Sequence, residues 1–272
     1  MDLQARIAAF PWWLFALIIL IGVTLILISM NPDFAQAFNI IRTGIGVTIE
    51  VTIIAYSTAI ILGLIAGLGR VSENVLTKNL ATVYVELVRG IPLLVLIFFI
   101  ALVIVPGATD LVSIIGKMLS DVGLISIGNR LSLVNNKSVP MNVRGIVALS
   151  LTYGAFLAEV FRAGIQSVSK GQMEASRSQG MSYGQAMRYV ILPQAIRNVL
   201  PALGNDFISM LKDSSLVSIL AVRDITQIAR LYAGHSFHFP EAYMTLSITY
   251  LTMTLILSMM LKTLERRHTR NG

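Results

Sequence analysis

A chain of 272 residues that is 55% hydrophobic and only 13% charged carries about half the charge of a soluble domain, where roughly 25% is usual. This surplus of apolar side chains exceeds what one globular core can hide. A bilayer is therefore the solvent for most of the chain, and the net charge of +7 reads as basic loops and not as a nucleic-acid surface. With no cysteine, disulfides, thiolate zinc sites and cysteine nucleophiles are excluded together.

In chain order, apolar stretches long enough to cross roughly 30 Å of hydrocarbon run over 12–30, 44–68, 82–105, 146–165, 196–220 and 243–261. A single apolar run buries its backbone polar groups only as a helix, so an all-α polytopic transmembrane bundle of about six spans is predicted. None of the runs has the alternation of a barrel strand. The first run follows Arg6 and precedes Ala35-Gln36-Ala37, which resembles a signal peptide. It is longer than the roughly 7–15 apolar residues of a signal h-region, and Trp12-Trp13 at its start fits an interfacial belt, so a retained helix is expected.

Basic residues set the orientation. With the N-terminus inside, the inner segments hold Arg6, Arg70, Lys78, Arg162, Lys170, Arg177, Arg188, Arg197 and the cluster Lys262, Arg266, Arg267 and Arg270, while the outer segments hold fewer. Both termini are expected in the cytoplasm of a bacterial inner membrane. Two connections are longer than a turn needs. In the outer one, 106–141, Leu111, Ile114, Ile115, Met118 and Val122 recur at helical spacing, the pattern of a segment lying on the membrane or packed on the spans. The inner one, about 166–195, is polar, with Gly171 and Gly184 bracketing its most polar part.

Catalytic motifs fail on context. Gly180-Met181-Ser182-Tyr183-Gly184 matches G-x-S-x-G, but His235, His238 and His268 lie in other segments and no strand-turn-helix surrounds the serine. No catalytic residue is assigned, and an intramembrane protease is set aside. No P-loop occurs, so any ATP is handled by another chain. His235 and His238 have only Glu241 nearby as a carboxylate, too little for a metal site. Asn136-Lys137-Ser138 fits a glycosylation sequon, a pattern too common to carry weight. An ion-coupled secondary transporter would show broken helices in two repeats, and none is visible.

Ionisable residues inside spans are costly enough to mark function. At about 100° per residue, Asn205, Asp206, Ser209, Lys212 and Asp213 fall in an arc of about 120°, a polar sector expected to face the bundle interior or a water-filled path. Glu86 and Arg89 share one face near the inner end of the third span, and Glu159 and Arg162 repeat the arrangement at the end of the fourth. Each is expected to form a mutual pair. Gly63 and Gly67, four apart, permit close helix approach.

The segment EVFRAGIQSVSKGQMEASRSQGMSYGQAMRYVILPQ from Glu159 resembles the membrane subunit of an ABC importer of the polar amino-acid permease family. The motif of that family is Glu-Ala-Ala, then Gly, then Ile-x-Leu-Pro. Here it stands as Glu174-Ala175-Ser176, Gly180 and Val190-Ile191-Leu192-Pro193, with Ser for the second Ala and Val for the Ile. YVELVRGIPLLV from Tyr84, TIEVT from Thr48 and LKDSSLVS from Leu211 are similar to the family as well. The resemblance implies a type I importer fold with a five-span core at 41–272, and a leading helix within 1–40 is an addition to it. It also implies a coupling helix on the ATPase with Gly171, Glu174, Ala175, Ser176, Arg177 and Gly180 as its residues. Pro193 would end that element.

The partners implied are an ATPase dimer holding ATP and Mg, a second permease subunit, a periplasmic amino-acid-binding protein and the polar amino acid itself. No cofactor belongs to this chain. Asn205, Asp206, Ser209, Lys212, Asp213, Glu86 and Arg89 are the candidates for contact with the substrate.

Overall fold

A computed structural model describes residues 12–270, and every regular element in it is helical. Arg6 lies outside these residues, and nothing is described of the side chains of Trp13 or of the basic tail with Arg266, Arg267 and Arg270. The elements are α1 (Trp12–Met30), α2 (Pro32–Ile41), α3 (Ile45–Val71), α4 (Val75–Gly90), α5 (Leu93–Phe99), α6 (Val105–Asp121), α7 (Ile125–Ser132), α8 (Met141–Ser167), α9 (Lys170–Ser178), α10 (Tyr183–Ala186), α11 (Leu192–Asp213), α12 (Ile225–Ser236) and α13 (Phe239–Arg270). Helical runs over Pro32–Val71, Leu93–Asp121, Met141–Ser167 and Phe239–Thr263 are long and apolar enough to cross a membrane. The shorter apolar α1 packs mainly on α2 and α13.

The centre of the bundle is the α3–α8 pair. Glycine lets these helices touch: a Cβ at Gly63 would lie 2.6 Å from Leu157 Cβ, and one at Gly67 would lie 2.9 Å from the Ala158 carbonyl. Around this seam Val51, Ala55, Ala148, Leu149 and Leu157 are almost wholly buried and extend the core to Ile97 of α5 and Met210 of α11. A second core joins Ala37 and Ile41 of α2 to Ile225 and Ala229 of α12 and Ala242 of α13. There Asp224 caps α12 by accepting from the Gln227 N–H at 2.8 Å.

Several boundaries differ from the sequence reading. The stretch at 82–105 is not one span: α4 ends at Gly90, Ile91 and Pro92 are extended, and the apolar helix begins at Leu93. The residue before a proline is pushed out of the helical region, which accounts for the break. The helical run then continues to Asp121, about 43 Å at 1.5 Å per residue, well past a hydrocarbon core. The span read at 196–220 is α-helical only to Asp213 and tightens to a 3₁₀ segment over Ser214–Leu220.

Pro193 does not end its segment. The chain stays helical from Tyr183 to Asp213 by widening to π geometry over Met187–Ile191 ahead of the proline. The same device precedes Pro106, where Ile100–Ile104 is π-helical. There the Val105 N–H reaches back to the Ile100 carbonyl, so the Ala101 carbonyl faces a proline without N–H. The Arg144 guanidinium, 3% exposed, donates to it at 3.1 Å and to the Val139 carbonyl at 3.0 Å, with Asn136 as a further acceptor.

Candidate functional site

The polar sector of α11 is graded. Asn205 and Lys212 are exposed, whereas Asp206, Ser209 and Asp213, further round the helix, are half-buried. On the buried side stand two tyrosines that sequence reasoning missed. Tyr153 of α8 donates its hydroxyl to Asp213 Oδ2 at 2.7 Å, and Tyr56 of α3 donates to the Leu203 carbonyl at 2.5 Å while its ring packs 4.9 Å from that of Phe207. Asp206 lies within electrostatic reach of both hydroxyls. Among the described residues Lys212 forms no ion pair with a carboxylate, and no cation pairs with Asp213. The arrangement sets two half-buried carboxylates on one helix face, Asp213 with a neutral phenol as its hydrogen-bond donor, a geometry suited to receiving a cationic group.

Glu86 and Arg89 do not join this sector, nor do they pair with each other. Glu86 instead binds Arg70 at 3.1 Å. The Glu159–Arg162 pair is present as expected, and Arg70 adds a second contact to Glu159 at 2.8 Å. Arg70 sits 89 residues from Glu159 in sequence, so no local spacing signals it.

At the same end of the bundle, α9 carries the motif residues. Gly171, Glu174, Ala175 and Arg177 are exposed, while Ser176 is buried and donates to the Gln172 carbonyl at 2.6 Å. Gly171 and Gly184 lie inside helices with nothing crowding them, so neither marks a turn. Gly180 does: its φ of +86° ends α9, with its N–H on the Arg177 carbonyl at 3.0 Å and the Met181 N–H on the Ser176 carbonyl at 3.2 Å. Only glycine takes this left-handed backbone without strain. Ser182 is an N-cap and not a nucleophile, exchanging hydrogen bonds with Gln185.

Beneath α9, Leu68 and Val71 of α3, Ile165 of α8, Met173 of α9, Tyr183 of α10 and Ile191 and Ala195 near the start of α11 form one small apolar cluster. Burial and the facing Glu73 push the Tyr183 hydroxyl above its ordinary pKa. Beside it an open pocket of 340 Å³ is lined by Gln179, Gly180, Met181, Gln185 and Tyr189. At the opposite end, His238 faces Asp33 at 4.0 Å, and no cluster of three metal-ligating side chains occurs among the described residues.

The sequence matches the family described as binding-protein-dependent transport system inner membrane component over residues 59–270. The chain belongs to that family. It is 35% identical to the probable glutamine ABC transporter permease protein GlnM of Bacillus subtilis (strain 168), over 85% of this chain and 94% of the relative. It is 28% identical to the glutamine transport system permease protein GlnP of Escherichia coli (strain K12), over 85% and 94%.

The fold superposes on the crystal structure of an amino acid ABC transporter with histidines at a TM-score of 0.67, with 35% identity over 86% of this chain and 96% of that one. A methionine transporter, MetNI, captured in an inward-facing form shares the fold at 16% identity and a TM-score of 0.62. The permease is thus an integral inner-membrane subunit of type I importer fold and not an enzyme. Membership implies an ATPase on a separate chain and a substrate-binding protein.

Proposed function

We propose that this permease imports polar amino acids by alternating access, driven by ATP and Mg held on a dimer of partner ATPase subunits and fed by a periplasmic binding protein. The observation that carries the reading is Asp213, half-buried in the α11 sector and, among the described residues, held by the Tyr153 hydroxyl without a cation. A substrate ammonium would meet Asp213 and Asp206, and Lys212 would take the substrate carboxylate, with Asn205 and Ser209 as polar walls. The exposed half of the sector supports a second permease subunit, identical or a sister chain. In a lone chain Asn205 and Lys212 would face hydrocarbon, and a partner covering α11 removes that cost and encloses the path.

In this reading α9 is the coupling helix, docked on the ATPase through Gly171, Glu174, Ala175, Arg177 and the Gly180 turn, with Ser176 on its buried face. It lies in the cytoplasm with both termini, and the 41–272 core carries transport with α1 as an accessory. The test is co-reconstitution with the ATPase and binding protein in liposomes, measuring hydrolysis and uptake across a panel of amino acids. Wild type is expected to hydrolyse faster with a loaded binding protein, and Gly180→Asp to lose that stimulation. Uptake driven by an ion gradient without ATP would replace this reading with a secondary transporter.

A further inference from the structure

Three helices meet at one guanidinium beside the coupling helix. Arg70, on the last turn of α3 and 14% exposed, donates to Glu159 Oε2 of α8 at 2.8 Å and to Glu86 Oε1 of α4 at 3.1 Å. Glu159 is gripped from its other side by Arg162, whose own guanidinium donates onward to Gln166 at 2.7 Å. Arg89 adds its field to the same carboxylate. Only Val168 and Ser169 separate α8 from α9.

The two long helices feel α9 directly. Leu68 and Val71 of α3 and Ile165 of α8 share the apolar cluster with Met173 of α9. A displacement of α9 therefore reaches α3 and α8 by packing, which transmits strain because cores are close-packed.

The short helix α4 is in a different position. It is flanked by two breaks in helical geometry, at Ser72 to Asn74 and at Ile91 and Pro92. It packs on both long helices through Val85, buried against Ala66 of α3 and Ala155 and Ala158 of α8, and is held further by the Tyr84 hydroxyl on the Leu151 carbonyl at 2.6 Å, by close contact of Ala81 on Gly69, and by the Arg70–Glu86 pair at its far end.

We propose that Arg70 is the joint that makes α4 travel with α3 and α8 when the coupling helix moves, a positioning residue that sets how much transport each ATP yields. This rests on the importer reading above. A planar fork with several donors can hold carboxylates on two helices at once, whereas a lysine ammonium on its flexible stem is a point charge without that fixed geometry. The joint is partly buried, so salt screens it less than a surface pair.

The test measures ATP hydrolysis and amino-acid uptake in the same proteoliposomes, with ATPase and binding protein present. Arg70→Gln is expected to lower uptake per ATP about fivefold, within the range by which such networks alter coupling between sites, while the KM for the loaded binding protein stays unchanged. Arg70→Lys restores part of the ratio, and Glu86→Gln, whose side chain is 61% exposed, loses part of it without threatening the fold. An unchanged ratio in Glu86→Gln and Arg70→Lys overturns the proposal, as does a change in KM alone.

A second readout is independent of cargo. The chain has no cysteine, so spin labels at Leu80→Cys on α4 and Ala163→Cys on α8 are the only ones it carries, and dilution with unlabelled permease isolates the distance within one subunit. The α4–α8 separation is expected to stay fixed on adding ATP in wild type and to broaden in Arg70→Gln. No broadening overturns the joint even if the importer reading stands. A wild type that imports no amino acid with ATP overturns the importer reading, and the label distance still decides whether Arg70 ties the helices.

Discussion

Two carboxylates inside this bundle are treated in opposite ways. Glu159 has fixed guanidiniums on both sides, Arg70 and Arg162, so its charge is already neutralised and its work is to hold helices together. Asp213 has a neutral phenol and no fixed cation among the described residues, so its charge stays available. Burying a carboxylate is costly in either place. The cost at Glu159 is met within the fold, whereas at Asp213 it is met in full only when something cationic arrives. In the proposed reading one carboxylate belongs to the scaffold and the other to the path.

The contrast is broken most sharply by neutralising each carboxylate in turn. Asp213→Asn is expected to cut uptake roughly 10- to 100-fold, the worth of a hydrogen bond to a charged group, with the melting temperature in detergent nearly unchanged. Glu159→Gln should do the reverse, lowering stability by about 1–3 kcal/mol with the substrate concentration dependence unchanged. Thermal melts and uptake curves on both variants check this, and swapped phenotypes would undo the distinction.

Asp224 sharpens it further, as a carboxylate with no ion pair and no path. Burial pushes it up to about 6 from 3.8, so folding takes up a proton between those values. Stability from this group is full below 3.8 and is lost as pH rises through about 6. Asp224→Asn keeps a good N-cap, and should flatten the pH profile and raise stability above pH 7 by up to about 3 kcal/mol. A profile that keeps its slope would show that another group titrates there. The smallest effect is expected at the Gly180 turn. Gly180→Ala should cost about 1–2 kcal/mol locally, seen as faster hydrogen exchange over α9 with the bundle core unaffected.

The sequence makes local patterns readable and leaves distant partnerships hidden. The α11 sector and the Glu159–Arg162 pair lie within one or two helical turns and were both visible as spacing. The break at Ile91 and Pro92 was signalled by Gly90 and Pro92 but masked by the apolar run across it. Pro193 was misread because a π-segment absorbs its missing N–H, and nothing in the residues at 187–191 announces that. Tyr56, Tyr153, Arg70 and Arg144 act through partners on other helices. A tyrosine or arginine in an apolar run has no periodic signal to mark it. Arg144 is the extreme case, a buried cation satisfied by backbone carbonyls and Asn136 and not by the carboxylate one would search for.

The most direct test is ATP-dependent uptake of labelled amino acids by the reconstituted permease, with its ATPase and binding protein, comparing wild type with Asp213→Asn. The account predicts uptake only with ATP in wild type, and in Asp213→Asn basal hydrolysis that continues while uptake collapses. Uptake without ATP, or undiminished uptake through Asp213→Asn, would contradict it.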